Sequence, residues 1–85
     1  MHYIFLMKFR EKPTKEALEK LREIRDSLGP SGRGLYITMG GYDIVWHIEA
    51  EDNKKALETT MRFSDLAFTE TMPAIPLDEA IQMKL

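Results

Sequence analysis

The sequence predicts an α+β fold in which two helices cover one face of a four-stranded antiparallel sheet. Three observations support this prediction. Four short segments are rich in β-branched and aromatic residues, and two longer segments follow the helical period. These segments follow one another in the order βαββαβ, and Gly or Pro residues separate several of them. At 85 residues the chain is expected to form one domain, residues 1–85.

The first strand is predicted over residues 2–9, and the first helix over residues 15–28. We expect Thr14 to cap the start of the helix and Gly29-Pro30 to end it. The strand has two sides: Tyr3, Phe5, Met7 and Phe9 on one, and His2, Ile4, Leu6 and Lys8 on the other. The inward side of the helix carries Ala17, Leu18, Leu21, Ile24, Arg25 and Leu28.

A β-hairpin is predicted from strands over residues 34–39 and 42–50, joined by a two-residue Gly40-Gly41 turn with positive φ angles. This turn pairs Ile37 with Ile44, and paired residues share a face. The face predicted to pack against the helices carries Leu35, Ile37, Met39, Tyr42, Ile44, Trp46 and Ile48. The other face carries Gly34, Tyr36, Thr38, Asp43, Val45, His47 and Glu49.

The second helix is predicted over residues 53–64, the fourth strand over 66–72, and a short tail helix over about 77–85. Either Asp52 or Asn53 is expected to cap the second helix, and Pro73 to end the strand. The inward residues of the second helix are predicted to be Ala56, Leu57, Thr60, Met61 and Ser64, and those of the tail helix Ala80, Ile81 and Leu85. This element order favours the ferredoxin-like fold.

The first strand is apolar on both sides in its middle, where Ile4 and Leu6 alternate with Phe5 and Met7. A strand with two apolar faces is expected to be covered on both. The helices cover one face, and a second copy of the chain can cover the other. The sequence therefore predicts a homodimer or a higher oligomer, with the two sheets facing each other.

The composition limits the functions that are open to the chain. The absence of cysteine excludes disulfides and cysteine-based zinc or iron–sulfur sites. The net charge of −2 argues against nucleic acid as the main partner, and no apolar run is long enough for a membrane span. No secretory signal is recognised, so we expect a cytoplasmic protein. Residues 1–42 carry a net charge of +3 and residues 43–85 a net charge of −5.

Candidate ligand-binding residues lie on the second face of the hairpin: Tyr36, Thr38, Asp43, Val45 and His47. His47 is the candidate base, because an imidazole titrates near neutral pH. Asp43 is interpreted either as a carboxylate that fixes the turn or as a pocket residue, about 13 Å from His47 along the strand. His47 and Glu49 are about 6.6 Å apart, but a third ligand is lacking, so neither a metal site nor a cofactor is predicted.

The segment Gly40-Gly41-Tyr42-Asp43 is similar to the G-x-Y-D signature of the GYD domain family. The Tyr3…Leu6…Lys8-Phe9 opening and residues 69–74, TETMPA, are also similar to that family. The resemblance implies a dimeric α+β barrel, in which the sheets of two chains face each other. The family has no established activity. Ligand-binding domains of leucine-responsive-type regulators and cofactor-free monooxygenases use the same barrel, which suggests small-molecule binding.

The leading functional prediction is a homodimeric module that binds or senses a small organic molecule between the two sheets. One alternative is a cofactor-independent oxygenase or isomerase that uses His47 with Asp43 or Tyr36. Another alternative is a structural or assembly protein whose barrel is filled by side chains. No nucleophile or phosphate-binding motif is present in the sequence, so an enzyme is the less favoured prediction.

Overall fold

The computed structural model describes residues 1–32 and 34–84. Four strands form the sheet: β1 (His2–Phe9), β2 (Gly34–Ile37), β3 (Ile44–Glu49) and β4 (Ala67–Ala74). Three α-helices are described: α1 (Lys15–Ser27), α2 (Asn53–Met61) and α3 (Leu77–Ile81). A short 3-10 turn, Gly29–Gly32, follows α1.

The sheet has the strand order β2-β3-β1-β4, and every neighbouring pair of strands is antiparallel. Together with the element order, this arrangement confirms the predicted ferredoxin-like α+β fold. The register pairs Leu35 with Trp46 and Ile37 with Ile44, as the hairpin pattern predicts. In β1, His2 lies opposite Glu49 of β3 and Ala74 of β4, and these pairings place residues of three strands on one face.

The core lies between one face of the sheet and helices α1 and α2. Trp46, Phe5 and Phe63 are completely buried there, with their ring centroids 5.6 to 5.7 Å apart. The Trp46 indole N–H donates to the Gly32 carbonyl at 2.8 Å, so its polar atom is satisfied. Phe63 is not among the residues predicted to face inward on the helix of residues 53–64. Helix α2 ends at Met61, and the turn that follows it brings Phe63 into the core.

Both helix starts follow the predicted capping chemistry. The Thr14 hydroxyl accepts from the Ala17 N–H, and the Asp52 carboxylate accepts from the Lys55 N–H. The inward face of α2 differs from the prediction, because Ala56 and Thr59 are its buried residues. Four residues predicted to face inward on the two long helices are exposed: Leu18, Leu57, Met61 and Ser64, which lies beyond the end of α2. Apolar side chains at the margin of a helical stripe become buried only where another element covers them.

The loop between β2 and β3 is wider than predicted. Among the described residues only Gly29 has a positive φ, so Gly40-Gly41 does not form the expected two-residue turn. The strand ladder stops at Ile37 and Ile44. Beyond it, the Thr38 N–H donates to the Asp43 carbonyl, and the Asp43 N–H donates to the Met7 carbonyl of β1, both at 2.8 Å. Two residues predicted to be core, Ile37 and Met39, are exposed because no helix reaches this end of the sheet.

Strand β4 continues to Ala74 and includes Pro73, which the sequence pattern predicts to end it. An edge strand tolerates proline, because one of its sides makes no ladder hydrogen bonds. Helix α3 covers Leu77–Ile81, and Ile81, predicted to face inward, is exposed. Leu85, also predicted to face inward, lies outside the described residues. No helix in the described ranges is long and apolar enough to cross a membrane.

Candidate functional site

The sheet face that the helices leave bare is the candidate site, and we call it the open face. Alternation along each strand defines its members, because the opposite residues belong to the core. The open face consists of His2, Ile4, Leu6 and Lys8 of β1, Gly34 and Tyr36 of β2, Val45, His47 and Glu49 of β3, and Phe68, Glu70, Met72 and Ala74 of β4.

The middle of the open face is apolar. Ile4 and Leu6 lie at the centre on β1, and Val45 lies directly opposite Leu6 on β3. These three side chains are half-buried by their neighbours alone. Large exposed side chains surround them on the edge strands: Tyr36, Phe68 and Met72. In a single chain this apolar surface faces solvent.

A histidine pair forms one polar end of the open face. His2 Nδ1 lies 2.9 Å from His47 Nε2, and the two rings stack with centroids 5.1 Å apart. Glu49 Oε1 lies 3.5 Å from the same His2 nitrogen. The β1–β3 register produces this cluster, since it places His2 opposite Glu49 and Ile4 opposite His47. Which of the two facing nitrogens donates in this hydrogen bond depends on the tautomers of the rings.

This cluster can exchange a proton or bind a polar group of a ligand. A hydrogen bond between two imidazoles needs one proton between the facing nitrogens, and if both rings were protonated, two N–H donors and two positive charges would face each other. Among residues 1–32 and 34–84, no group of three or more His, Asp and Glu side chains is placed to hold a metal ion. The hydrogen-bonding groups of His2, His47 and Glu49 lie together at this end of the open face.

At the opposite end of the open face, a tyrosine of the β2–β3 loop is hydrogen-bonded to β4. The Tyr42 hydroxyl donates to Glu70 Oε2 at 2.9 Å. This hydrogen bond, reinforced by the charge of Glu70, raises the pKa of Tyr42 above its ordinary value. The prediction that Tyr42 belongs to the helix-packed face is wrong, because the residue lies in the loop, where strand alternation no longer applies. Nearby, the Arg10 guanidinium lies 4.0 Å from the ring centroid of Phe68.

The structure separates the predicted site residues into two groups. Tyr36, Val45 and His47 lie on the open face. Thr38 and Asp43 lie in the β2–β3 loop, and their polar groups already have partners within the chain. The Thr38 hydroxyl donates to the Tyr42 carbonyl, and the Asp43 carboxylate accepts from the Phe9 N–H at 2.9 Å. Asp43 is thus bonded to β1 and lies just before the start of β3, whereas His47 lies towards the end of that strand.

Sequence reasoning missed His2 as the partner of His47. The two residues are separated by 45 positions, and the hairpin pattern contains no information about the register of β1 against β3. The signal that could have found the pair is the ferredoxin-like strand order itself, which makes β1 and β3 antiparallel neighbours. Strand spacing alone places Glu49 beside His47, because the two residues are two positions apart on the same strand.

Concave surfaces also occur away from the open face. An apolar groove of about 280 Å³ lies between α2 and β4, and it is lined by Tyr3, Asn53, Ala56, Leu57, Thr71 and Pro73. Another concavity, of about 380 Å³, lies beside Arg25 and Gly29 at the end of α1. Both are open to solvent and lack the titratable cluster that His2, His47 and Glu49 form, so we favour the open face as the functional surface.

The fold and this surface define the chain as a ferredoxin-like α+β protein with one bare sheet face. Residues 1–84 match the family described as Domain of unknown function (DUF3303), and the chain belongs to that family. The resemblance to the GYD domain family stays a prediction. No curated protein matches the sequence.

Solved structures share the fold. The chain is similar to the crystal structure of FFRP-DM1, with 24% sequence identity, a TM-score of 0.64, and coverage of 87% of this chain and 97% of that chain. It is also similar to a hypothetical protein from Pyrococcus horikoshii, with 19% identity, a TM-score of 0.62, and coverage of 88% and 89%. At these identities the comparison shows the fold alone.

Proposed function

We propose that the protein is a homodimer whose two open faces pack together and enclose a cavity for a small organic molecule. The main support for this proposal is the apolar middle of the open face. Ile4, Leu6 and Val45 would be shielded from water only if a second layer covered the open face. Both long helices of the chain pack against the opposite face of the sheet. Domains of this type require two covered faces when both are apolar.

The exposed area supports the same proposal. The accessible surface of the chain is 6242 Å², whereas a compact monomer of 9.9 kDa exposes about 5,200 Å². The excess of about 1,000 Å² is comparable to the ~800 Å² that each partner buries in a stable protein–protein interface. The GYD resemblance of the sequence implies the same face-to-face pairing.

The chemistry of the open face suggests the ligand class. An apolar lining with a few polar groups is the usual composition of a small-molecule site. Tyr36, Val45 and Ile4 provide the lining, and His47 with His2 provides the polar end. Among its described residues the open face has no cluster of Lys or Arg, so polyphosphates and nucleotides are poor candidates. A compact aromatic or aliphatic molecule with one hydrogen-bonding end fits best.

A second candidate function is proton-transfer catalysis without a cofactor, as in an isomerase or oxygenase. The contact of 2.9 Å between His2 and His47, with Glu49 beside the same His2 nitrogen, favours it, because imidazole and carboxylate groups can accept and return a proton. His47 therefore pairs with His2 in this hypothesis, rather than with Asp43 or Tyr36. Conversion of a bound compound, measured by exchange of its carbon-bound hydrogen with solvent deuterium, would favour this candidate over simple binding.

A thermal-shift screen of a metabolite library tests the proposal. We expect hits that are small, mostly apolar molecules, and we expect the shift to fall in His47→Ala and in Tyr36→Ala. Met61→Ala, which alters an exposed side chain on the helix side, is the control and should leave the shift unchanged.

Two outcomes would contradict this assignment. Hits whose shifts are unchanged in both His47→Ala and Tyr36→Ala would place the ligand site elsewhere in the molecule. A nucleotide as the strongest hit would contradict the argument from charge.

A further inference from the structure

The histidine pair on the open face has the features of a metal-binding site. The chain contains two histidines, and the fold brings both together although 45 positions separate them. Strand spacing alone places one carboxylate, Glu49, beside His47, which is why the sequence predicts no metal site. The β1–β3 register adds the imidazole of His2, and imidazole nitrogen is a preferred ligand of Zn²⁺, Cu²⁺ and Ni²⁺.

The distance between the two rings suits a single ion. A bond from an imidazole nitrogen to such an ion is about 2.0–2.1 Å long. Two nitrogens bound at a right angle, as in a square-planar site, are therefore about 2.9 Å apart, and two bound at the tetrahedral angle about 3.3 Å apart. His2 Nδ1 and His47 Nε2 lie 2.9 Å apart. The strands thus already hold both nitrogens at the separation that one ion requires.

The neighbouring strands leave room for an ion at this position. On β2, Gly34 lies opposite His47, and on β4, Ala74 lies opposite His2. A Cβ atom at position 34 would lie only 3.0 Å from the Cβ atom of His47, so a side chain there would crowd the imidazole. His47 is exposed, and the side chain of His2 is 25% exposed. An ion can therefore reach both nitrogens from solvent and keep water as its other ligands.

The charge around the pair also favours a cation. Glu49 Oε1 lies 3.5 Å from His2 Nδ1, and its negative charge attracts a positive ion at the pair. Among the described residues of the open face, the cationic side chain is that of Lys8, six positions along β1 from His2 and about 20 Å away by the rise of a strand. Glu49 is therefore assigned an electrostatic role, and the two imidazoles are the ligands.

We propose that His2 and His47 together bind one divalent transition-metal ion of the Cu²⁺, Ni²⁺ or Zn²⁺ class on the open face. Each ring would carry its proton on the nitrogen that points away from the ion, as a neutral imidazole can, and the ion would replace the hydrogen bond between the rings. This inference does not depend on the proposed homodimer or on its organic ligand, because both metal ligands belong to one chain.

Titration with Ni²⁺, followed by isothermal titration calorimetry in a buffer that does not bind metals, tests the site. We expect one Ni²⁺ per chain. His2→Asn and His47→Asn should each weaken binding by roughly tenfold or more, because each variant keeps one imidazole and loses the chelate. Glu49→Gln should weaken binding less than either variant. Tyr36→Phe on the same face is the control and should bind like the wild type, and Mg²⁺, which prefers oxygen ligands, should not bind.

Thermal unfolding gives an independent measurement. Unfolding separates His2 from His47, so an ion bound by both stabilises the folded chain alone. We expect Ni²⁺ to raise the melting temperature of the wild type and to leave His2→Asn and His47→Asn unchanged. Circular dichroism of the metal-free variants checks that each one folds.

Three outcomes would overturn the inference. Two independent sites of equal affinity in the wild type would show that the histidines do not act together. Binding that is lost in His2→Asn and unchanged in His47→Asn would place the ion on His2 and nearby backbone groups. A wild-type chain that binds no Ni²⁺ at millimolar concentration would exclude the site. The oligomeric state, measured separately, tests the homodimer, so failure of one proposal is distinguishable from failure of the other.

Discussion

Asp43 joins the β2–β3 loop to β1 through both its backbone and its side chain. Its N–H donates to the Met7 carbonyl, and its carboxylate accepts from the Phe9 N–H. The carboxylate therefore continues the contact between β3 and β1 beyond the last paired residues of the ladder. The sequence left two interpretations open for Asp43. The hydrogen bonds support the structural one, although the carboxylate bonds to β1 rather than to the hairpin turn.

Replacement of Asp43 tests this role. Asp43→Ala removes the acceptor of a partly buried N–H, and we expect the free energy of unfolding to fall by ~1–2 kcal/mol. Asp43→Asn keeps a side-chain oxygen and should lose less. Urea denaturation measures both values, with Asp78→Ala on the exposed α3 as the control. Wild-type stability in both Asp43 variants, combined with weaker ligand binding, would instead support a pocket role.

At the scale of elements, the hydrogen bond between Tyr42 and Glu70 connects the β2–β3 loop to β4 across the end of the open face. Because Glu70 raises the pKa of Tyr42, the protonated tyrosine is favoured in the folded chain. The resulting stabilisation is fully present below the ordinary pKa of 10.0 and is lost as the pH rises through the higher folded value.

Tyr42→Phe tests the link between these elements. We expect the variant to melt at a lower temperature than the wild type at neutral pH, and we expect this difference to shrink as the pH rises above 10. Tyr36→Phe on the same sheet face serves as the control, and its difference from the wild type should not follow this pattern. A Tyr42→Phe difference that persists unchanged at high pH would show that the hydrogen bond to Glu70 does not stabilise the fold.

At the scale of the whole molecule, a charged residue at the centre of the open face tests the proposed homodimer. Leu6→Glu introduces a charge at the centre of the face, and burying it unpaired in a dimer would cost several kcal/mol. Light scattering should therefore show a folded monomer for Leu6→Glu and a dimer for the wild type. Leu18→Glu, on the outer side of α1, is the control and should remain a dimer. A wild-type chain that is a folded monomer at micromolar concentration would contradict the prediction.

The sequence by itself determined the element order, the faces of β1 and the pairing of Ile37 with Ile44, because period-two alternation and helix caps are local properties. Only the tertiary structure decided which side chains meet across strands. His2 contacts His47, and Tyr42 contacts Glu70, because the β1–β3 and β1–β4 registers place distant segments side by side. The exposure of Leu57, Met61 and Ile81 was equally undetermined, since an apolar residue is buried only where another element reaches it.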